Sequence, residues 1–264
     1  MKSKQKPFPT LGPFLCIGLL ALSFGCIAQE STPERSGGGT DASDPLSKTD
    51  NTDIKWIYFQ EEGGADTNLW MAYGNWNFAN WGKLIYEVGY ARTDDEGTVT
   101  KGFDTLSLKP LFFVGKGQVG DWKYGLATGF ELVLDFAEVD SGTGTINGYG
   151  TGADLFSPLF GVSLSKGNTT LVPLVQHYIE LSGDADVSVT GFRLIAIQKL
   201  KNKSWLKLDL IAPVDWNNDI VPGTVDLEWG RMLSPNFGFY LGGLVGYADS
   251  SINWGVSGNL RFVY

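Results

Sequence analysis

The chain has 264 residues, a formal net charge of -9, 43% hydrophobic residues and 13% aromatics, with 35 glycines, 9 tryptophans and 1 histidine. After the N-terminal segment no run of ~18 apolar residues occurs, which excludes a membrane protein built of helices. The acidic balance and the lack of a basic patch exclude nucleic acid as a partner, while glycine with aromatics suits a strand-rich chain.

Lys2, Lys4 and Lys6 precede an apolar run from Phe14 to Phe24, and small residues allow cleavage after Ala28. Residues 1–28 are therefore expected to be a signal peptide. Two alternatives share the segment. Cys26, following Ser23, Phe24 and Gly25, is a candidate for lipidation as the first residue of a lipoprotein. An uncleaved anchor helix is the other, although the run falls short of the ~20 residues of a span. Cleavage after Ala28 removes Cys16 and Cys26, the only cysteines, and with them any disulfide or Cys-based metal site. Residues 29–53 are rich in Ser, Thr, Gly and Asp with almost no apolar residue, and are expected to form a disordered polar tail.

From residue 54 to 264 the pattern has period 2, broken by Gly, Asp, Asn and Pro. The expected strands are 54–62, 69–78, 83–92, 103–115, 121–137, 153–165, 169–181, 187–200, 204–214, 222–232, 236–247 and 251–264. In 121–137, Trp122, Tyr124, Leu126, Phe130, Leu132, Leu134 and Phe136 oppose Lys123, Glu131 and Asp135. In 204–214, Leu206, Leu208 and Leu210 oppose Lys207 and Asp209, and in 222–232, Val225, Leu227 and Trp229 oppose Asp226 and Glu228. The last strand sets Ile252, Trp254, Val256, Leu260, Phe262 and Tyr264 against Asn253, Ser257, Asn259 and Arg261.

A soluble sandwich also alternates, but its strands usually run to about 5–6 residues. The strands here run to about 10–14, enough to cross a bilayer at the usual tilt. The fold class expected is all-β: an antiparallel transmembrane β-barrel over 54–264, of about 12 strands with 10 as the alternative. Placing both ends in the periplasm makes the connections on the opposite side the longer and more acidic set. Trp81, Trp122, Trp205 and Phe237 then fall at or beside strand starts on the periplasmic rim, with Phe262 and Tyr264 closing the last strand there. Together they are expected to form a membrane-interface girdle.

The stretches "VGDWKYGLATGFEL", "LVPLVQHYIELSGDADVSVTGFRLIAIQKL" and "SWLKLDLIAPVDW" resemble a family of little-characterised bacterial outer-membrane proteins described as transporters. That family is related to the barrel proteins encoded with meta-pathway phenol degradation. The resemblance covers roughly Gly120 to Trp229 and is one of hairpin pattern, without a catalytic motif. It implies a barrel in the outer membrane of a Gram-negative-type bacterium and a passage role for a small solute. It transfers no residue role, and the long polar tail departs from the family.

Mid-strand charges on the lipid face cost ~2–4 kcal/mol, so they are expected inside. Parity gives Lys109, Lys123, Glu131, Asp135, Gln176, Glu180, Lys207, Asp209, Asp226, Glu228, Asn253, Asn259 and Arg261 as the lumen lining. Both signs occur, so the lining either pairs across the lumen and plugs it or borders a narrow polar pore. The expected function is a channel or transporter-like barrel for a small solute, with no cofactor and no metal.

Two rivals are a closed structural or adhesion barrel and a lipid-modifying barrel enzyme using His177. For the enzyme, the position two residues on, where a partner nucleophile belongs, is Ile179, and Ser182 has the opposite parity. The acidic groups Asp94, Asp95 and Glu96, and Asp184 and Asp186, read as solvated turns, with Ca²⁺ or bridging to lipopolysaccharide phosphates as the alternative. Expected partners are outer-membrane lipid and lipopolysaccharide, the barrel-assembly machinery through the C-terminal strand, and the solute. The oligomeric state stays open.

Overall fold

The structure is a computed structural model, and it describes residues 50–136, 138–140, 145–147, 152–183 and 186–264. The signal-peptide segment, Cys26, most of the polar tail and Asp184 lie outside the described residues. Alternating chemistry makes strands throughout: β1 Asn51–Glu61, β2 Asp66–Ala79, β3 Gly82–Asp95, β4 Thr98–Val119, β5 Trp122–Asp135, β6 Glu138–Asp140 and β7 Thr145–Asn147. They continue as β8 Ala153–Lys166, β9 Thr169–Gly183, β10 Ser188–Lys199, β11 Ser204–Asp215, β12 Pro222–Met232, β13 Phe237–Ala248 and β14 Ile252–Val263.

Twelve of these close into one antiparallel barrel in which each strand pairs with its sequence neighbour, β5 pairs with β8, and β1 pairs with β14. The twelve-strand expectation is met. β6 and β7 form a separate small hairpin in the connection from β5 to β8, which the Gly- and Thr-rich sequence there does not announce.

One rim carries the start of β1, the end of β14 and short turns, and will be called the terminal rim. The opposite one is the loop rim. Asn202 and Lys203 both take φ of 58°, the left-handed pair that suits a tight hairpin between right-twisted strands. β4 is 22 residues long, longer than expected. It runs past the start of β3, and Phe113 N donates to Trp81 O at 2.8 Å. β1 begins at Asn51, within the segment expected to be disordered tail. The reason is tertiary: Asp53 is fully buried against Arg261 of β14, a partner no local pattern reveals.

The two faces of the wall differ in the sense opposite to a soluble protein. Ile54, Trp56, Trp70, Phe160, Phe192, Leu227, Leu241, Val256 and Leu260 are exposed outside, while Lys83, Lys109, Glu131, Asp209, Glu228 and Arg261 are buried inside. Apolar side chains also fill the interior near both rims. Toward the terminal rim, Ile85, Leu111, Leu159, Val172, Leu174, Ile195, Ile197, Trp205, Met232 and Tyr240 form one cluster. Toward the loop rim, Val133, Leu155, Tyr178 and Val189 form a second, and Phe59, Leu69, Met71, Ala91 and Ile252 a third. Ile252 departs from the expected outward row because the register with β1 shifts between Gln60 and Glu61, turning it inward.

Candidate functional site: the barrel interior

The charged residues between these apolar layers are brought together by register. Lys207 of β11 lies opposite Glu228 of β12, and Asp209 opposite Asp226. Lys207 Nζ sits 3.2 Å from both Glu228 Oε2 and Asp209 Oδ2. Arg193 of β10 clamps Asp209 with both guanidinium arms, Nε to Oδ1 at 2.7 Å and Nη2 to Oδ2. Lys55 of β1 extends the chain, 3.1 Å from Glu228 Oε1 and 3.7 Å from Asp226 Oδ2.

That last contact spans strands that are not neighbours, because β14 and β13 stand between β1 and β12. It is possible because β13 offers Gly242 to the interior. A Cβ there would stand 2.6 Å from Ser257 Oγ and 3.1 Å from Asp226 Oδ1. Arg193, Lys207 and Lys55 against Asp209, Glu228 and Asp226 leave this cluster formally neutral. Removing one member of such a buried pair typically costs 3–5 kcal/mol, because the partner is left charged in a poor dielectric.

A second node centres on Glu131 of β5, which is 0% exposed. It takes Lys109 Nζ at 3.1 Å and hydrogen bonds from Ser107, Gln176 and Tyr178, tying β4, β5 and β9. The third lies at the terminal rim, where Arg261 meets Asp53 at 2.6–3.0 Å and covers the rings of Trp205 and Tyr240, 5.6 and 5.4 Å from their centroids. The Tyr240 and Tyr73 hydroxyls bond to each other.

Of the residues assigned to the lumen by parity, Lys109, Glu131, Gln176, Lys207, Asp209, Asp226, Glu228, Asn259 and Arg261 point into the barrel. Four sit at its ends. Lys123 is exposed beside the β4–β5 turn, and Asp135 accepts from Gly152 N and Ala153 N at the loop rim. Glu180 accepts from Val187 N at 3.2 Å, and Asn253 donates to Glu61 O at 3.2 Å. Sequence reasoning missed Asp53, Lys55 and Arg193. Asp53 and Lys55 share the parity opposite to Ile54 and Trp56; Asp53 falls before the expected start at residue 54, and the partners that draw both inward, Arg261 and Glu228, are distant in the chain. Arg193 shares its inward row with Ile195 and Ile197, so no polar face was visible.

Among the aromatics, Trp81 is 59% exposed and stacks on Phe112 with centroids 6.0 Å apart, Trp122 starts β5 on the outward parity, Phe237 meets Phe262 at 5.4 Å, and Tyr264 is exposed. Trp205 is a correction. It is 2% exposed and lies inside, because it shares the inward parity of Lys207 and Asp209 and packs on Tyr240 and Arg261.

His177 is on the outward parity, its Nδ1 2.9 Å from Thr190 Oγ1, which also accepts from Trp216 Nε1 at 2.8 Å. Ser182 bonds instead to Asp154 at 2.8 Å. Asp94 accepts from Gly97 N at 3.2 Å, as a turn carboxylate does. Among the described residues no group of His, Cys, Asp and Glu is arranged to hold a metal ion.

No family model matches the chain, and no curated protein matches it. Solved structures do share its architecture. An outer-membrane channel from Pseudomonas putida F1 superimposes with a TM-score of 0.59 at 8% identity, covering 89% of this chain and 100% of the other. The NanC porin gives 0.53 at 9% identity, covering 81% of this chain and 98% of its own. The KdgM porin, in complex with disordered oligogalacturonate, gives 0.50 at 12%, covering 80% and 99%. At these identities the likeness establishes the fold: a closed twelve-stranded antiparallel β-barrel of the outer-membrane type.

Proposed function

We propose that the protein is an outer-membrane channel passing a small polar solute along the charged interior, with selection by size and charge. The observation carrying this reading is the inversion of the wall, with apolar side chains outside and a charge-balanced set of Lys, Arg, Asp and Glu inside a closed barrel. The architectural likeness to channels and porins supports it. In this reading residues 1–28 direct export, the terminal rim faces the periplasm of a Gram-negative-type cell, and the C-terminal strand ending at Tyr264 engages the barrel-assembly machinery. The hairpin pattern over roughly Gly120 to Trp229 supports a relation to the barrels encoded with meta-pathway phenol degradation.

Ion pairs of Lys55 and Lys207 with Asp226 and Glu228 cross part of the interior between β1, β11 and β12, and in this reading the tie from Lys55 to Glu228 and Asp226 gates passage. The same tie favours a second reading, a closed structural barrel. Planar-bilayer conductance of the folded protein, with and without Lys55→Met, separates the two. Current steps in the wild type or the variant support the channel, and silence from both folded proteins supports the closed barrel.

A further inference from the structure

We propose that the outer wall at the β10–β11 and β12–β13 turns is a binding site for an anionic phospholipid, with its phosphate held by Lys201, Lys203 and Arg231. The three cations are placed together by the fold. The tight turn through Asn202 exposes Lys201 and Lys203, and Met232 N donates to Lys203 O at 3.0 Å, drawing this turn against the end of β12. Arg231 is opposite Ser204, the first residue after the turn, and is exposed on the outward parity of Trp229. Neighbouring strands lie ≈ 4.8 Å apart, so three long cationic side chains from these positions share one headgroup-sized space. None of them makes an ion pair among the described residues, although several carboxylates elsewhere in the barrel are matched to cations at 3–4 Å.

The surface toward the middle of the barrel is what a lipid tail needs. Leu206 lies opposite Trp229, and Leu208 opposite Leu227, in successive outward pairs. Leu206, Trp229 and Leu227 are 38%, 39% and 55% exposed, and Trp229 is steadied edge-on by Phe239 at 5.8 Å. Cations at the rim directly above an apolar and aromatic column favour a molecule with a phosphate at one end and hydrocarbon at the other, because basic residues at the membrane surface attract anionic lipid and an interfacial Trp packs at headgroup depth. A free phosphate would satisfy the cations alone and leave the column unexplained.

The charge of the neighbouring turns agrees. The neighbouring terminal turns carry Lys123 and Lys166, and their one described carboxylate, Asp121, is tied to Lys166 at 3.0 Å. The loop rim carries Lys101 and Arg92, the latter 3.5 Å from Asp94, but is acidic on balance, with Glu62, Asp95, Glu96, Asp219 and Asp249 as well. An anionic headgroup is therefore drawn to one end of the barrel only.

The test is native mass spectrometry of the detergent-folded barrel titrated with phosphatidylglycerol, phosphatidylcholine or inorganic phosphate. The expected result is an affinity for phosphatidylglycerol about tenfold or more above that for phosphatidylcholine, since each surface cation contributes about a factor of five. Lys201→Gln with Lys203→Gln and Arg231→Gln should abolish the preference, while Trp229→Ala should weaken both lipids. Retained fold is checked by heat-modifiable migration on a gel. Equal affinity for the two lipids in the wild type, an unchanged preference in the triple variant, or displacement of the lipid by equimolar inorganic phosphate would overturn the proposal. None of these outcomes depends on whether the lumen conducts.

Discussion

Replacing Lys55 by Met keeps most of the side-chain length and removes the charge that ties β1 to β12. In the structure Lys55 Nζ is 3.1 Å from Glu228 and 3.7 Å from Asp226, with side chains 12%, 3% and 17% exposed. Glu228 keeps Lys207 at 3.2 Å after the change. Asp226 loses its only cation within 4 Å among the described residues, and its Oδ1 already has no hydrogen-bond partner there. Breaking a buried pair by removing one member costs about 3–5 kcal/mol, and with Lys207 still in place the loss should lie near 3.

The assay is equilibrium unfolding by denaturant in detergent, followed by tryptophan fluorescence. Glu228→Gln and the double variant complete a cycle whose coupling energy should be about 1–3 kcal/mol. Because β1 and β12 share no backbone ladder, that coupling has to pass through the interior. A coupling within error of zero, with Lys55→Met costing under about 0.5 kcal/mol, would refute the tie.

Trp205→Ala should lower stability by about 3–5 kcal/mol, as loss of a fully packed aromatic does, whereas Trp81→Ala, which loses exposed ring contacts with Phe112 and Phe78 at the wall, should cost about 1–2 kcal/mol; equal costs in the same unfolding assay would contradict their opposite placements. Leu227→Arg puts a charge on the outward row and should cost about 2–4 kcal/mol in a lipid bilayer, with much less loss in a loose detergent micelle. His177→Ala leaves Thr190 bonded to Trp216 at 2.8 Å, so stability should change by about 1 kcal/mol or less. Neither that variant nor the wild type should release fatty acid from phospholipid vesicles. Release by the wild type that His177→Ala abolishes would establish the enzyme instead.

The fold was readable because the outer face of a membrane barrel must be apolar at every second residue, as Leu206, Leu208 and Leu210 or Val225, Leu227 and Trp229 are. The inner face obeys no such rule. It accepts Ile195 and Ile197 beside Arg193, and Trp205 beside Lys207, so long as the volume is filled and the charges are matched. Parity therefore located Lys207, Asp209, Asp226 and Glu228, while Arg193 sat in a row that looked apolar. The aromatic at 205 was assigned by its place at a strand start, although its odd number put it on the inner row. Asp53 and Lys55 were hidden for a different reason: the first strand is held by Arg261 and Glu228, which lie some two hundred residues away in the chain, as in the 208-residue separation of Asp53 and Arg261.

The central claim is a polar passage through the barrel, and single-channel conductance of the purified, folded protein in a planar bilayer tests it most directly. Discrete, reproducible steps are expected, with an ion preference that shifts toward anions when Asp226 and Glu228 are made neutral and toward cations when Lys207 is. A folded barrel that stays silent at all voltages, with Lys55→Met and Glu228→Gln equally silent, would contradict the claim and leave a closed barrel held by its interior charges.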